Sequence, residues 1–169
     1  VLLTMFSQNT NLLLAFLRDH NTARSVLDVF NDLYAMFGRE NYCRLFPVIL
    51  TDRGSEFSNP VPIEQDENDE LRSLVFYCNP SAPYQKGGIE VAHELVRRVL
   101  PKGKSFDDLQ QEDIDLMLSH INSYKRGKLN SRSAYQLFNF IYGDDILPKL
   151  NIREIEANDI VLSPKLLKK

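Results

Sequence analysis

Short apolar runs alternate with helix-periodic stretches along these 169 residues, and that alternation predicts an α/β fold with a mixed sheet flanked by helices. Two observations carry the prediction. The chain opens on two strand-like segments joined by polar turn residues, which reads as a hairpin. Two further apolar runs, 46–51 and 74–78, are each bounded by breakers and separated from one another by loop residues. At 43% apolar, with ample Leu, Ile, Val and Phe, the chain can bury one core, and a second full domain is not expected.

Taken in order, residues 1–6 and 12–18 are the hairpin strands, joined through Ser7-Gln8-Asn9-Thr10-Asn11. Asn21 or Thr22 can cap a helix to about Phe37, with Val26, Leu27, Phe30, Leu33, Tyr34 and Phe37 on one face and Gly38 as its stop. Phe46 to Thr51 reads as a buried strand leaving through Asp52-Arg53-Gly54-Ser55. A Pro-interrupted acidic surface loop follows, with a short helix near Glu67 to Leu71, and then a strand from Leu74 to Cys78. Pro80 and Pro83 confine 79–83 to loop, because proline cannot donate to a ladder.

Gly88 to Leu100 is a helix with Ala92, Leu95, Val96 and Val99 on its buried stripe and Glu90, Glu94 and Arg97 roughly opposite. Pro101-Lys102-Gly103 ends it. Ser105 to Asp108 opens the next helix, whose stripe is Ile114, Met117, Leu118 and Ile121, and Ala134 to Tyr142 forms a further short one. Residues 1–143 read as the main body and 144–169 as an extension docked on it.

The net charge of −3 argues against nucleic acid only until its distribution is considered. Acids crowd into 64–70 and 107–115, where solvated faces are expected, whereas Lys86, Arg97, Arg98, Lys102 and Lys104 surround Glu90 in sequence. Lys125, Arg126, Lys128 and Arg132 form a second basic group, with no acid between Asp115 and Asp144. Basic residues around acidic ones suit a phosphodiester substrate. Cys43 and Cys78 fit no zinc or disulfide spacing, so reduced cytoplasmic thiols are expected. The apolar opening lacks the basic flank of a targeting signal and the length of a membrane span. Its abrupt start reads as a strand in mid-fold and predicts a chain cut from something longer.

Asp52 closes a strand and Glu90 heads a helix, a layout that lets a fold gather distant carboxylates around a divalent metal. Each has a plainer rival. Asp-x-Gly is common where a strand exits into a turn, and a first-turn glutamate complements the helix dipole. Glu90-Val91-Ala92-His93 spells one half of a di-iron motif, but no second copy exists. Gly87 and Gly88 permit a sharp loop-to-helix transition that still aims Glu90. Arg97, Arg98 and Lys102 could complement a helix C-terminus as readily as touch DNA, and Tyr84 could pack rather than stack on a base. His20 and His120 have no catalytic partner in the pattern.

The motifs in series resemble a known family. Asp52-x-Gly54-x-Glu56-Phe57, Pro80-x-x-x-Tyr84-Gln85-Lys86-Gly87-x-x-Glu90, Leu100-Pro101-Lys102-Gly103, Ile121-Asn122-x-Tyr124-x-Arg126-x-x-Leu129-Asn130 and Ser133-Ala134-Tyr135-x-x-Phe138 are similar to the catalytic core of IS-thirty-type insertion-sequence transposases. The order of motifs is specific, although each alone is weak. The resemblance implies a ribonuclease-H-like, integrase-core fold and an Asp-Asp-Glu metal triad, with Asp52 as second acid and Glu90 as third. Arg53 and Val91 stand where the family has Asn, and neither is a ligand position. No residue matches the first acid. Asp19 does not fit the pattern, the first strand of the fold is missing, and the 169 residues alone are therefore expected to be inactive in strand transfer.

The implied chemistry is metal-assisted phosphodiester hydrolysis and DNA strand transfer, using two Mg²⁺ or Mn²⁺ ions roughly 3.5–4 Å apart. Double-stranded DNA at element ends and target sites is the implied partner, with Lys86, Arg97, Lys102 and Arg126 as phosphate contacts. A homo-oligomer associated with the bacterial nucleoid, with no membrane partner, completes the expectation. The alternative is a non-catalytic remnant of the fold that serves as a nucleic-acid-binding or assembly module.

Overall fold

The computed structural model describes residues 1–79 and 87–167. Its elements in chain order are β1 (Leu2–Phe6), β2 (Leu13–Leu17), α1 (Ala23–Leu45), β3 (Val48–Thr51), α2 (Val61–Glu64), β4 (Leu74–Tyr77), α3 (Ile89–Val99), α4 (Gln111–Ser123), β5 (Lys125–Arg126), β6 (Arg132–Ser133) and α5 (Ala134–Tyr142). The class is mixed α/β as expected, but among the described residues the strands form three separate two-stranded ladders instead of one sheet. The chain divides into two compact units: Val1 with Arg18–Lys86, and Leu2–Leu17 with Gly87–Lys169.

In the first unit, Thr22 caps α1 in a reciprocal box with Ser25, and Val26, Phe30, Leu33 and Phe37 are buried as the stripe requires. Gly38, at φ +74, breaks the helix where expected. The chain then resumes helical geometry to Leu45, a segment that the sequence did not announce, and carries Tyr42 into the core. Arg72 is buried with its guanidinium over the Tyr34 and Tyr42 rings, at 5.1 and 5.5 Å. Its Nε donates to the Ile63 carbonyl and its Nη2 to the Pro62 carbonyl and Asn31 Oδ1, so a cation sits in the core with these donors satisfied.

Three expectations are corrected here. The strand predicted over 46–51 starts at Val48 and is not buried; among the described residues it pairs only with β4, in parallel, and Val48 and Leu50 are exposed. No helix forms near Glu67 to Leu71. Asp66 Oδ1 instead accepts the N–H groups of Asn68 and Glu70, Asp69 turns to φ +61, and the short helix lies earlier, at α2. Asp66 is not on a solvated face either: its carboxylate is almost covered, meeting the Tyr34 hydroxyl at 2.8 Å and Arg39 at 3.2 Å.

In the second unit β1 and β2 pair antiparallel from Leu2↔Leu17 to Phe6↔Leu13, confirming the hairpin. The outer edge of β2 is occupied by side chains of α4. Asn122 exchanges two hydrogen bonds with the backbone of Leu13, at 2.9 and 2.8 Å, and Gln111 accepts from the Leu17 N–H and donates to the Ala15 carbonyl. Two carboxamides thus stand in for a neighbouring strand. Ile114, Met117, Leu118 and Ile121 are buried as predicted. The helix begins at Gln111, not near Ser105, because Asp113 accepts from the Gln110 N–H at the true N-terminus while Ser105 only closes a turn on Asp107.

The other face of α4 is polar yet buried. Ser119, Ser123 and His120 Nδ1 accept the backbone N–H groups of Arg153, Ile155 and Val161, and Asn151 donates to Asp115. Asp115 is therefore covered rather than solvated, and burial raises its pKa. This polar stripe satisfies the backbone of a tail that has no ladder of its own. α5 spans the predicted residues, with Ser133 and Gln136 as its capping box and Gly143 beyond its end at φ +94. The β5–β6 hairpin was not foreseen, since two-residue strands carry no period.

Candidate active site

Asp52 follows directly on β3, so the strand sets where its exposed carboxylate emerges. Asp52 Oδ1 accepts the Gly54 N–H at 3.1 Å, which folds the exit loop back. A 3₁₀ turn, Ser55–Phe57, then returns the chain and brings Glu56 alongside. A Cβ on Gly54 would lie 2.6 Å from Glu56 Oε2 and 3.1 Å from Asp52 Oδ1. The two carboxylates therefore converge over the glycine, which leaves the space between them open. Arg18, buried and bonded to Ser25 and Asn21, adds positive potential toward Glu56.

Glu90 lies exposed in the first turn of α3. The start of that helix is set by β1. Gly88 is its N-cap at φ +85, and a Cβ there would fall 2.5 Å from Phe6 Cε1, so the position is closed to other residues on two counts. One turn below Glu90, His93 Nε2 meets Thr4 Oγ1 at 2.8 Å. Phe6 and Thr4, both on β1, thus fix the turn that carries Glu90. The predicted glycine transition is present, and its cause is tertiary.

Asp52 belongs to the first unit and Glu90 to the second. Arg97 and Lys102 are exposed on and just after the last turn of α3. Arg126 is half-buried, and its enclosed Nε and Nη2 have no hydrogen-bond partner among the described residues. Lys86, with Tyr84 and Gln85, lies outside the described residues. Among the described residues no three His, Cys, Asp or Glu side chains gather to hold a metal. What the Asp52–Gly54–Glu56 cradle offers is a pair of hard oxygen donors around a gap, a fit for Mg²⁺ or Mn²⁺ that still leaves positions for water and phosphate.

No family model matches the chain. Over 137 residues, 81% of its length, it is 29% identical to ORF3 of Spiroplasma virus SpV1-R8A2 B, provisionally described as an integrase. The transposase for insertion sequence element IS1086 of Cupriavidus metallidurans is 35% identical over 63 residues, 37% of this chain and 19% of that protein. The transposase for IS4351 of Bacteroides fragilis is 27% identical over 94 residues, 56% of this chain and 28% of that protein. The curated homologues of this chain are transposases and an integrase. The chain spans about 40% of the length of the integrase relative. IS30 transposases of Escherichia coli are among these homologues, in agreement with the resemblance drawn from the motifs.

Sequence reasoning left Glu56 as a motif letter. The signal was available in Asp52-x-Gly54-x-Glu56, where a glycine between two acids four residues apart lets them meet. Nothing in the sequence pointed to Phe6 or Thr4, which act on α3 from more than 80 residues away.

Proposed function

We propose that the chain is part of the catalytic core of a DNA transposase that hydrolyses phosphodiester bonds and joins DNA strands with Mg²⁺ or Mn²⁺. The observation that carries this reading is the alignment of 81% of the chain with an integrase relative. The convergence of Asp52 and Glu56 over Gly54 supports it locally. Asp52, with Glu56 beside it, would hold a divalent cation, and Glu90, at the start of α3, is the further acid that the family resemblance implies. When bound, such ions activate a water or 3′-hydroxyl and stabilise the leaving oxygen. Gly54 keeps the two carboxylates from being pushed apart, and Gly88 with Phe6 holds the Glu90 turn at a fixed angle to β1. Arg97 and Lys102, both exposed, would hold DNA phosphates without reading bases. Among the described residues no helix is long and apolar enough to cross a membrane.

The test has two readouts. In a plasmid transposition assay run with the gene that encodes this chain, Asp52→Asn and Glu90→Gln are each expected to reduce strand cleavage to background at unchanged protein level. Mn²⁺ titration of the purified chain, followed by electron paramagnetic resonance, should show weaker binding by roughly tenfold or more for Asp52→Asn and Gly54→Ala. Cleavage by Asp52→Asn at the wild-type rate would overturn the catalytic reading in favour of a binding or assembly module.

A further inference from the structure

Helix α5 keeps an apolar stripe at its surface. Leu137, Phe140 and Ile141 fall within about 100° of its circumference, beside the buried Ala134 and Phe138. Leu137 is half-buried, Ile141 is exposed, and Phe140 is 80% exposed. Among the described residues no other large hydrophobic side chain stands so far out. An aromatic ring held in water beside aliphatic neighbours marks a contact surface.

The charges at the two ends of α5 oppose its own dipole. A helix favours acids at its N-terminus and bases at its C-terminus, yet α5 has no acid in its first turn and no base in its last. Arg132 lies just before it, Lys125 pairs with its N-cap Ser133, and Lys128 sits in the connecting turn, all three exposed. Asp144 and Asp145 follow its end and are exposed too. Among the described residues none of these five takes part in an ion pair, and Glu154, which reaches the first turn through Gln136 at 2.9 Å, pairs with none of the cations. The placement is symmetric about the stripe. Arg132 lies five residues before Leu137, and Asp145 five residues after Phe140.

We propose that α5 is a self-complementary docking surface on which a second copy of this chain lies antiparallel, with Leu137 against the partner's Phe140 and Arg132 against the partner's Asp145. A two-fold axis through the middle of the stripe makes both contacts twice, because an isologous interface presents the same patch from each side. It also brings the acidic end of each helix to the basic end of the other, so each dipole gains the charge that its own chain withholds. A partner of different sequence would have to repeat this pattern, whereas a second copy carries it already. The motif resemblance implies an oligomer but assigns it no surface, and α5 supplies one. Three apolar side chains a side fall well short of the roughly 20–30 residues of a standard interface, so the pair forms and parts readily, and salt weakens it.

Sedimentation velocity of the whole chain over a concentration series, without DNA or divalent metal, reads the association. A monomer–dimer equilibrium with a Kd of roughly 0.1–1 mM at low salt is expected, weakening as salt rises. Phe140→Ser should weaken it by at least about tenfold. Arg132→Glu and Asp145→Arg should each do the same, because each sets like charges opposite one another. Both changes in one chain, or a mixture of the two single variants, restore opposite charges at both contacts and should return the Kd to within about threefold of wild type. A monomer at every concentration would overturn the proposal. So would a dimer that Phe140→Ser and the single reversals leave unchanged, since its contact would lie on another surface. Loss in the single reversals without recovery in the double variant or the mixture, all folded by circular dichroism, would mean that these charges do not meet each other and would overturn it as well. Because neither DNA nor metal is present, failure of Asp52→Asn to affect cleavage would leave this result standing.

Discussion

The two larger strand pairs of this molecule face the same problem and meet it differently. β1 and β2 form a hairpin whose residues Leu12 to Ala15 are buried, and its outer edge is bonded by Asn122 and Gln111. β3 and β4 form a parallel pair with one face turned inward. On its other face Val48, Leu50, Leu74 and Phe76 remain 56%, 41%, 42% and 53% exposed. A two-stranded ladder is marginal by itself. The hairpin is completed by a helix that supplies both a hydrophobic cover and substitute hydrogen bonds, whereas the parallel pair has a cover on one side only. Identical local propensity therefore yields a buried ladder in one place and an apolar surface in the other.

Breaking the better-covered pair should have the largest effect. Asn122→Ala strands both the N–H and the C=O of Leu13 in a fully buried position. The expected loss is about 2–4 kcal/mol by urea denaturation; a loss under about 1 kcal/mol would mean that the carboxamide is not a true substitute for a strand.

Acid should separate the two units next. In the second unit burial, and then Arg153, lower the pKa of His120 below its usual 6.5, and its Nδ1 must stay unprotonated to accept from Val161. A depressed folded pKa means that stability is present above pH 6.5 and is lost as pH falls through the folded value. In the first unit Asp66 is also depressed, chiefly by the Tyr34 hydroxyl, but from 3.8, so its contribution is lost only in stronger acid. Asp115 is raised and works the other way, gaining stability as it protonates. His120→Asn keeps an acceptor and leaves Asp115 untouched. Its melting temperature should therefore lack the decline that wild type shows below pH 6.5. Parallel curves for the two proteins would remove His120 as the cause.

The smallest effect is expected on the open face. Leu50→Thr and Phe76→Thr should each change stability by no more than about 0.5 kcal/mol, while reducing aggregation seen by light scattering. A loss above about 2 kcal/mol would show that this face is covered in solution.

Much of this was legible before any coordinates. The period of α3 placed Ala92, Leu95, Val96 and Val99 inside and Glu90 outside, as found. The pattern over Ala134 to Tyr142 announced α5, and Asn21 or Thr22 announced the start of α1, which Thr22 caps. The misplaced helix at Glu67 to Leu71 and the late start of α4 have one cause in common. In each case an acidic side chain bonds nearby backbone N–H groups, Asp66 to close a loop and Asp113 to cap a helix, and composition alone does not say which.

Local order was written in the chain because capping and amphipathic period depend on neighbours within four or five residues. The candidate acids Asp52 and Glu90 were likewise readable, from a strand end and a helix start. Tertiary structure alone decided which strand faces would be covered, that carboxamides of α4 would bond the edge of β2, and that Phe6 would demand a glycine at position 88. These are meetings between residues whose contact depends on how the backbone returns. No periodicity encodes that return, because the energy that selects it is summed over the whole core.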